Sequence, residues 1–387
     1  MPHADSRALG IYVHWPFCEA ICPYCDFNVR IAREIDEHQW GDAFRRSIRA
    51  WTPFADGRAV GSVYFGGGTP SLMPSGVVNR ILTEIDAVWG LAADAEISLE
   101  ANPTSVEIAR FRDFAAAGVN RLSVGLQALE DDALLQLGRR HSAEEGRRAL
   151  STAGEVFDRV SFDLIYGRPH QTLAAWESEL RDALSLCGEH CSLYQLTIEA
   201  GTPFAHRVRH GRLTGLPDED QAAAFFELTN AICSSKNLVR YEISNHARDG
   251  GQSRHNCLYW LAQDWIGVGP GAHGRLTLAD QRLGTIEAHD PLAWLSAAGS
   301  NPLADDRIER LSSEECAEEV LFGGLRLRDG FDLAEMRRWH HAPRAGRLDG
   351  LIADGVVHQN GDRLRATQDG TLLIDAIVAA LVPLEPL

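Results

Sequence analysis

Six short apolar runs, each followed by an amphipathic stretch, recur over about 190 residues and constrain the fold more than any other feature. The runs are Ile11-Tyr-Val13, Ser62-Val-Tyr-Phe65, Glu96-Ile-Ser-Leu99, Arg121-Leu-Ser-Val124, Val160-Ser-Phe-Asp-Leu-Ile165 and Ser192-Leu-Tyr-Gln-Leu-Thr-Ile198. Helical periodicity falls between them, over 34–51, 72–89, 106–117, 131–137, 143–156 and 173–186. Strand and helix in alternation give a parallel sheet or a partial barrel of the (β/α)6 TIM type, with helices on its outer face.

The unusual residues sit at the ends of those strands. Cys18, Cys22 and Cys25 follow the first, Gly66-Gly67-Gly68-Thr69 the second, Glu100 the third, Gln127 the fourth, and Asp163 lies in the fifth. Strand C-termini converge on one rim in a βα fold, so residues more than a hundred positions apart are expected to share a pocket. Taken singly, several have a bland explanation. The glycine run serves equally as a tight turn or as backbone that a ligand approaches closely. Glu100 could be a solvated carboxylate, and Gln127 and Arg139 surface polar groups. Asp163, between Phe162 and Leu164, needs a partner if buried.

The three thiols are the sharper signal. Pro16 and Pro23 keep the segment from being helical, so its sulfurs can turn toward one point. A closed zinc site wants four ligands, usually as two pairs, and no second cysteine pair of suitable spacing lies nearby. An iron–sulfur cube held by three thiolates would leave one iron open. Cys187-Gly-Glu-His-Cys191 also has metal-pair spacing. It joins the end of a helix to the start of a strand, on the face of a barrel that serves stability, and reads as structural.

Beyond residue 200 the alternation stops. Residues 216–232 read as a helix with acidic groups in its first turn, and 241–244 as a strand. His255-Asn-Cys-Leu-Tyr-Trp260 and a glycine-rich turn over 265–273 follow. A histidine beside Tyr259 and Trp260 suits a hydrogen-bonded core position, and the sharper alternative is an imidazole for iron in an aromatic-walled pocket. From about 306 the pattern is helix, helix, helix, hairpin, helix, which describes a small winged-helix-like α+β module. The expected division is 1–205, a partial barrel; 206–305, its extension; and 306–387, the module.

With 54 acidic against 37 basic residues the formal net charge is −17. That opposes nucleic acid as a main partner, because phosphate contacts need a basic footprint. The basic residues of the C-terminal module do not gather on one recognition helix, which favours packing or partner contact there. No apolar stretch of about 18 residues and no leader-type apolar core near the N-terminus indicate neither a membrane span nor secretion. Eight cysteines without a disulfide-type framework point to a reducing cytoplasm.

Several motifs together carry a resemblance over nearly the whole chain: Tyr12-Val-His-Trp-Pro-Phe-Cys18 through Cys25-Asp-Phe-Asn28, Phe65-Gly-Gly-Gly-Thr-Pro70, Glu100-Ala-Asn-Pro103, Ser123-Val-Gly-Leu-Gln127, Leu137-Gly-Arg-Arg-His141, Phe162-Asp-Leu-Ile-Tyr-Gly167 and Gly267-Val-Gly-Pro-Gly-Ala-His273. They resemble the oxygen-independent coproporphyrinogen III oxidase-like family of the radical S-adenosylmethionine (radical SAM) superfamily. The true oxidases in that family have a fourth cysteine two positions after the third, where this chain has Phe27, and a longer N-terminal extension than the 17 residues before Cys18. Asp26-Phe27-Asn28 and the motif H-N-x-x-Y-W at 255–260 are similar to the haem-chaperone (HemW) branch, so decarboxylation of coproporphyrinogen becomes the second reading.

The resemblance implies a 4Fe–4S cluster on Cys18, Cys22 and Cys25, and S-adenosyl-L-methionine (SAM) beside Tyr12 and Tyr24. It further implies Gly67, Gly68 and Thr69 at SAM's amino-acid end, and Glu100, Gln127, Arg139 and Asp163 around its remainder. Haem is the third cofactor it implies, with His255 the candidate ligand. No residue is assigned a catalytic role. The partner implied is a haem-acceptor protein of the respiratory-chain type, and a homodimer is left open.

Overall fold

A computed structural model describes residues 9–31 and 34–387. The reading of the extreme N-terminus as lacking a leader-type core falls on 1–8, outside the described residues. Six parallel strands form as the alternation requires: β1 Leu9–Trp15, β2 Val60–Gly67, β3 Leu91–Ala101, β4 Arg121–Gln127, β5 Arg159–Tyr166 and β6 His190–Gln195. The sheet extends through β7 Val239–Arg240, β8 Asn245–Ala247, β9 Trp265–Val268, β10 His273–Leu278, β11 Gln281–Ile286 and β12 Ile308–Arg310. Their order is β12-β11-β10-β9-β1-β2-β3-β4-β5-β6-β8-β7, so the two ends are not bonded to each other. The result is an α/β fold with an open, mixed sheet.

Helices α1 Glu37–Ala50, α2 Ser75–Trp89, α3 Phe111–Ala117, α4 Ala143–Val156 and α5 Leu173–Ser185 return the chain between successive strands. Local chemistry sets where they begin. Asp36 accepts from the amides of His38 and Gln39, and Ser142 with Glu145 forms a reciprocal capping box. The outward face of each strand and the inward face of each helix close one apolar core, in which Ile11, Val13, Phe65, Leu99, Val124 and Leu164 are fully buried. The inward face is polar. Ser161 Oγ donates to Ser123 Oγ (2.8 Å), Ser123 Oγ to Asp163 (3.3 Å), and below them Arg159 pairs with Glu96 (2.6 Å). A barrel interior furnished this way is built around polar contents at its open end, not as a dry core.

The structure differs from the sequence reading at several points. Residues 241–244 are the turn between β7 and β8, not a strand. The glycine-rich segment read as a turn begins with β9, which pairs in parallel with β1 from Gly10–Trp265 to Val13–Val268. Its alternation is masked by Gly267, where a Cβ would meet the His273 carbonyl at 2.3 Å. The helix expected over 106–117 is broken between Ile108 and Phe111, and the final helix of the C-terminal module is broken between Thr371 and Ile374. Residues 254–260, left without an element by the sequence, form helix α7, capped by Ser253.

The last residues pack a second core, with Leu321, Leu325, Met336, Leu364 and Leu381 at its centre. Helices Ser313–Arg326, Leu333–Arg337 and Ala345–Ala353 surround a three-stranded sheet of Phe331–Asp332, Val357–Asn360 and Arg363–Ala366. Among the described residues no helix is long and apolar enough to cross a membrane.

Candidate functional site

A cavity of about 380 Å³ opens at the C-terminal ends of β1 to β6, a volume within the range of small-molecule sites. Cys18, Cys22, Cys25, Tyr24, Gly67, Gly68, Thr69, Glu100, Gln127, Arg139 and Asp163 all line it. Eleven residues chosen on sequence grounds, spread over some 145 positions, therefore meet at one opening.

The cysteine loop is held by close packing. A Cβ on Gly68 would stand 2.7 Å from the Phe17 carbonyl and 3.0 Å from Cys18 Sγ. Gly68 donates its amide to Trp15 O (2.7 Å) and Thr69 to Phe17 O (2.9 Å), while the Thr69 hydroxyl donates to Cys18 Sγ (3.4 Å). On the other side His14 Nε2 donates to Asn28 O (2.9 Å), and Asn28 Nδ2 donates to Pro270 O (3.1 Å) and His289 O (2.8 Å). Gly269 and Gly271 carry positive φ at that clamp, and a Cβ on either would collide with His14 or Asn28. Gly68→Ala is expected to displace the Cys18 backbone, to cost about 1–3 kcal/mol, and to lower the yield of iron incorporation. Thermal unfolding and iron analysis of that variant check it; wild-type values for both would remove the cradle argument.

The opposite wall is charged. Tyr64 donates to Glu100 Oε1 (2.7 Å), and Arg139 donates from Nη2 to Asn102 Oδ1 (2.5 Å) and Gly125 O (3.0 Å), with Nη1 3.5 Å from Cys22 Sγ. Its Nε is buried without a partner. Gln127 adopts φ +68°, in the left-handed region that non-glycine residues seldom enter, where β4 slips register against β5. Backbone strain of that kind clusters at ligand-binding and active sites. The residues present suit the groups that the resemblance implies: three soft thiolate donors beside a guanidinium, carboxylates for hydroxyl or ammonium groups, and an unpartnered Arg139 nitrogen.

Burial pushes the Glu100 carboxyl up to about 7, with Asp163 adding repulsion, and pushes Asp163 up to about 6. Both values exceed those of an unfolded chain, so between about pH 4 and pH 7 these two carboxyls hold more protons in the folded ligand-free protein than in the unfolded one. Their contribution to stability should fall as pH rises across that window, by of the order of 1–3 kcal/mol per group, against the opposite contribution of the buried histidines His141, His246 and His255, whose lowered values favour the folded state as pH rises. Relative to wild type, Glu100→Gln and Asp163→Asn should each gain stability between pH 4.5 and 7.5 in denaturant melts, because each removes one declining contribution. An unchanged slope in both would contradict the assignment.

Two of the expected site residues are elsewhere. Tyr12 is tucked behind the wall, donating to His14 Nδ1 (3.0 Å) and stacked on Tyr64 with ring centroids 6.4 Å apart. His255 is fully buried, with Nδ1 paired to Ser62 Oγ (3.0 Å) and Nε2 to Tyr259 OH (2.8 Å). Neither nitrogen is free for iron in this conformation, and the core alternative describes its environment. Conversely, Asn102 and Tyr194 belong to the cavity and were not singled out. Asn102 lies in the Glu100-Ala-Asn-Pro103 motif, and Tyr194 two positions after Ser192 on the inward side of β6. Both signals were present in the sequence.

Comparison with known proteins identifies the family and the fold. Residues 12–183 match the radical SAM superfamily model, and 311–373 the HemN C-terminal domain. A mouse protein, "Radical S-adenosyl methionine domain-containing protein 1, mitochondrial", is 36% identical over 99% of this chain and 89% of its own length. "Heme chaperone HemW" from Mycobacterium tuberculosis is 36% identical over 97% of this chain and 95% of its own, and that from Escherichia coli 33% identical over 96% and 97%. The solved structure of the E. coli coproporphyrinogen III oxidase HemN superposes with a TM-score of 0.81 at 23% identity, covering 97% of this chain and 90% of that one, and shows the same fold.

Proposed function

The chain belongs to the radical SAM superfamily, within the family of the HemW heme chaperones, and from that premise we propose that it binds haem and delivers it to an acceptor protein. The observation that carries this reading is identity of 32–36% with HemW proteins over 96–97% of the chain. Position 27 supports it. Phe27, where the true oxidases are expected to carry a fourth cysteine, is 63% exposed at the cavity rim, near the exposed Ile21. Exposed apolar groups at a pocket mouth suit a flat macrocycle better than a metal.

Cys18, Cys22 and Cys25 would hold the 4Fe–4S cluster that the superfamily implies, with SAM alongside. When bound, the cluster supplies one-electron reducing power. The chain's own residues position and shield: Gly67, Gly68 and Thr69 let the ligand approach the backbone, Glu100 and Asp163 offer carboxylates to hydroxyl or ammonium groups, and Arg139 offers its free Nε–H to a carboxylate. In this division 1–205 carries the cofactors, 206–305 clamps the cysteine loop, and 306–387 packs or meets a partner. The acceptor would be a haem protein of the respiratory-chain type.

Anaerobic incubation of the reconstituted chain with SAM, dithionite and coproporphyrinogen III tests the assignment. The expected result is no protoporphyrinogen above a control lacking SAM. Product accumulating over many turnovers would transfer the chain to the oxidases.

A further inference from the structure

Remote from the cavity, on the outer side of β6, three potential soft-metal ligands converge from three elements, with a fourth cysteine in the loop beside them. Cys187 follows α5, Cys191 is the second residue of β6, Cys233 lies on α6 (Glu219–Ser235), and His246 is on β8, directly across from Cys191 in the ladder. One ligand atom each of Cys191, Cys233 and His246 lies within 4.8 Å of the others, and all three residues are at most 2% exposed. Cys187 stands beside them, its thiol donating to His190 O (3.3 Å), and the neighbouring Cys187 and Cys233 thiols, with burial, push the Cys191 thiol well above the usual range.

The second observation is the imidazole. His246 Nδ1 is buried with no hydrogen-bond partner, while Nε2 pairs with Asn230 Oδ1 (3.1 Å). An unsatisfied nitrogen on an imidazole grouped with two buried thiols costs free energy that a bound cation removes. Anchoring of one ring nitrogen by a side-chain carbonyl is the arrangement that orients metal-binding histidines.

We infer that Cys187, Cys191, Cys233 and His246 form a structural zinc site that ties α5, β6, α6 and β8 together. Three thiolates and one imidazole are a closed tetrahedral set, in which sulfurs stand about 3.8 Å apart. Cys191, Cys233 and His246, now within 4.8 Å of one another, reach that by a contraction of up to about 1 Å, and Cys187 completes the set from its loop. Binding releases the thiol protons to solvent, and the half-buried Cys187 gives the ion its way in. The sequence could show only the first pair, because Cys233 and His246 come from elements brought there by folding.

The test uses the full chain with Cys18, Cys22 and Cys25 replaced by serine, so that the cluster motif contributes no metal. Purified from zinc-supplemented medium, it should hold one zinc per chain. After chelation, cobalt(II) should restore one equivalent, with the thiolate charge-transfer and d–d absorption of a tetrahedral site. Cys187→Ser, at the half-buried edge, and His246→Gln should each abolish or sharply weaken that spectrum while far-UV circular dichroism is kept. Asn230→Ala should lower affinity about 10- to 100-fold. No metal in the folded parent, an octahedral cobalt spectrum, or retention of the tetrahedral spectrum in both ligand variants would overturn the site.

Discussion

Cys18→Ala should reduce the iron and sulfide content of the anaerobically reconstituted chain from four each to background and lower SAM affinity at least about 100-fold, close to 3 kcal/mol. Cys18 is the most enclosed of the three thiols at the rim, 9% exposed, and burial holds it up at about 11 when no metal is present. A cube cannot be held stably by the remaining two thiolates in a loop whose backbone is already fixed by Gly68, Thr69 and Asn28. The fold itself should survive. One hydrogen bond from Thr69 is lost, and the unfolding free energy should move by about 1 kcal/mol. Iron analysis, equilibrium SAM binding and a denaturant melt on the same sample separate the two effects. Full iron content in the variant, or its global unfolding, would contradict the role given to the loop.

Glu179→Ala should be among the most destabilising single changes, at about 3–5 kcal/mol. Glu179, buried on α5, accepts from Arg168 Nη2 (2.5 Å) and Nη1 (3.1 Å), Gln171 Nε2 (3.2 Å) and the Leu129 amide (2.8 Å). It joins the exit of β5 to the segment two residues beyond Gln127. Removing it strands a guanidinium and an amide that water does not reach. The double change Arg168→Met with Glu179→Leu should recover most of the loss, because a buried ion pair contributes little more than an apolar pair of similar volume. Urea melts of the single and double variants check this. A single variant within about 1 kcal/mol of wild type would show that the pair is solvated in solution.

Much of the fold was legible, for an identifiable reason. Strand-to-helix alternation writes itself into local periodicity, and the chemistry sits at strand ends, so Cys18, Gly67, Glu100, Gln127 and Asp163 could be assigned to one rim from position alone. What local sequence cannot carry is which way a side chain turns once neighbours arrive. Tyr12 and His255 have the residue types of ligands, yet His14 satisfies the one and Ser62 and Tyr259 the other inside the wall, with Tyr64 stacked on both. The strand at 265–268 was hidden by glycines needed for close packing against β1's exit and the His273 backbone. Arg168, seen only as part of the Gly167-Arg-Pro169 turn, gains its importance from Glu179, eleven positions on and across a helix. The cysteine pair at 187 and 191 was read as structural from its place at the foot of the barrel. Its two further neighbours appear only once α6 and β8 are folded onto β6.

The claim on which the account rests is that the chain binds haem as cargo. An anaerobic haem titration of the cluster-reconstituted protein, followed by its Soret absorption and by co-elution on gel filtration, measures this directly. The account predicts saturation at one haem per chain, with His255→Ala destabilising the fold but leaving that stoichiometry intact. A titration that never departs from free haem in buffer would contradict it.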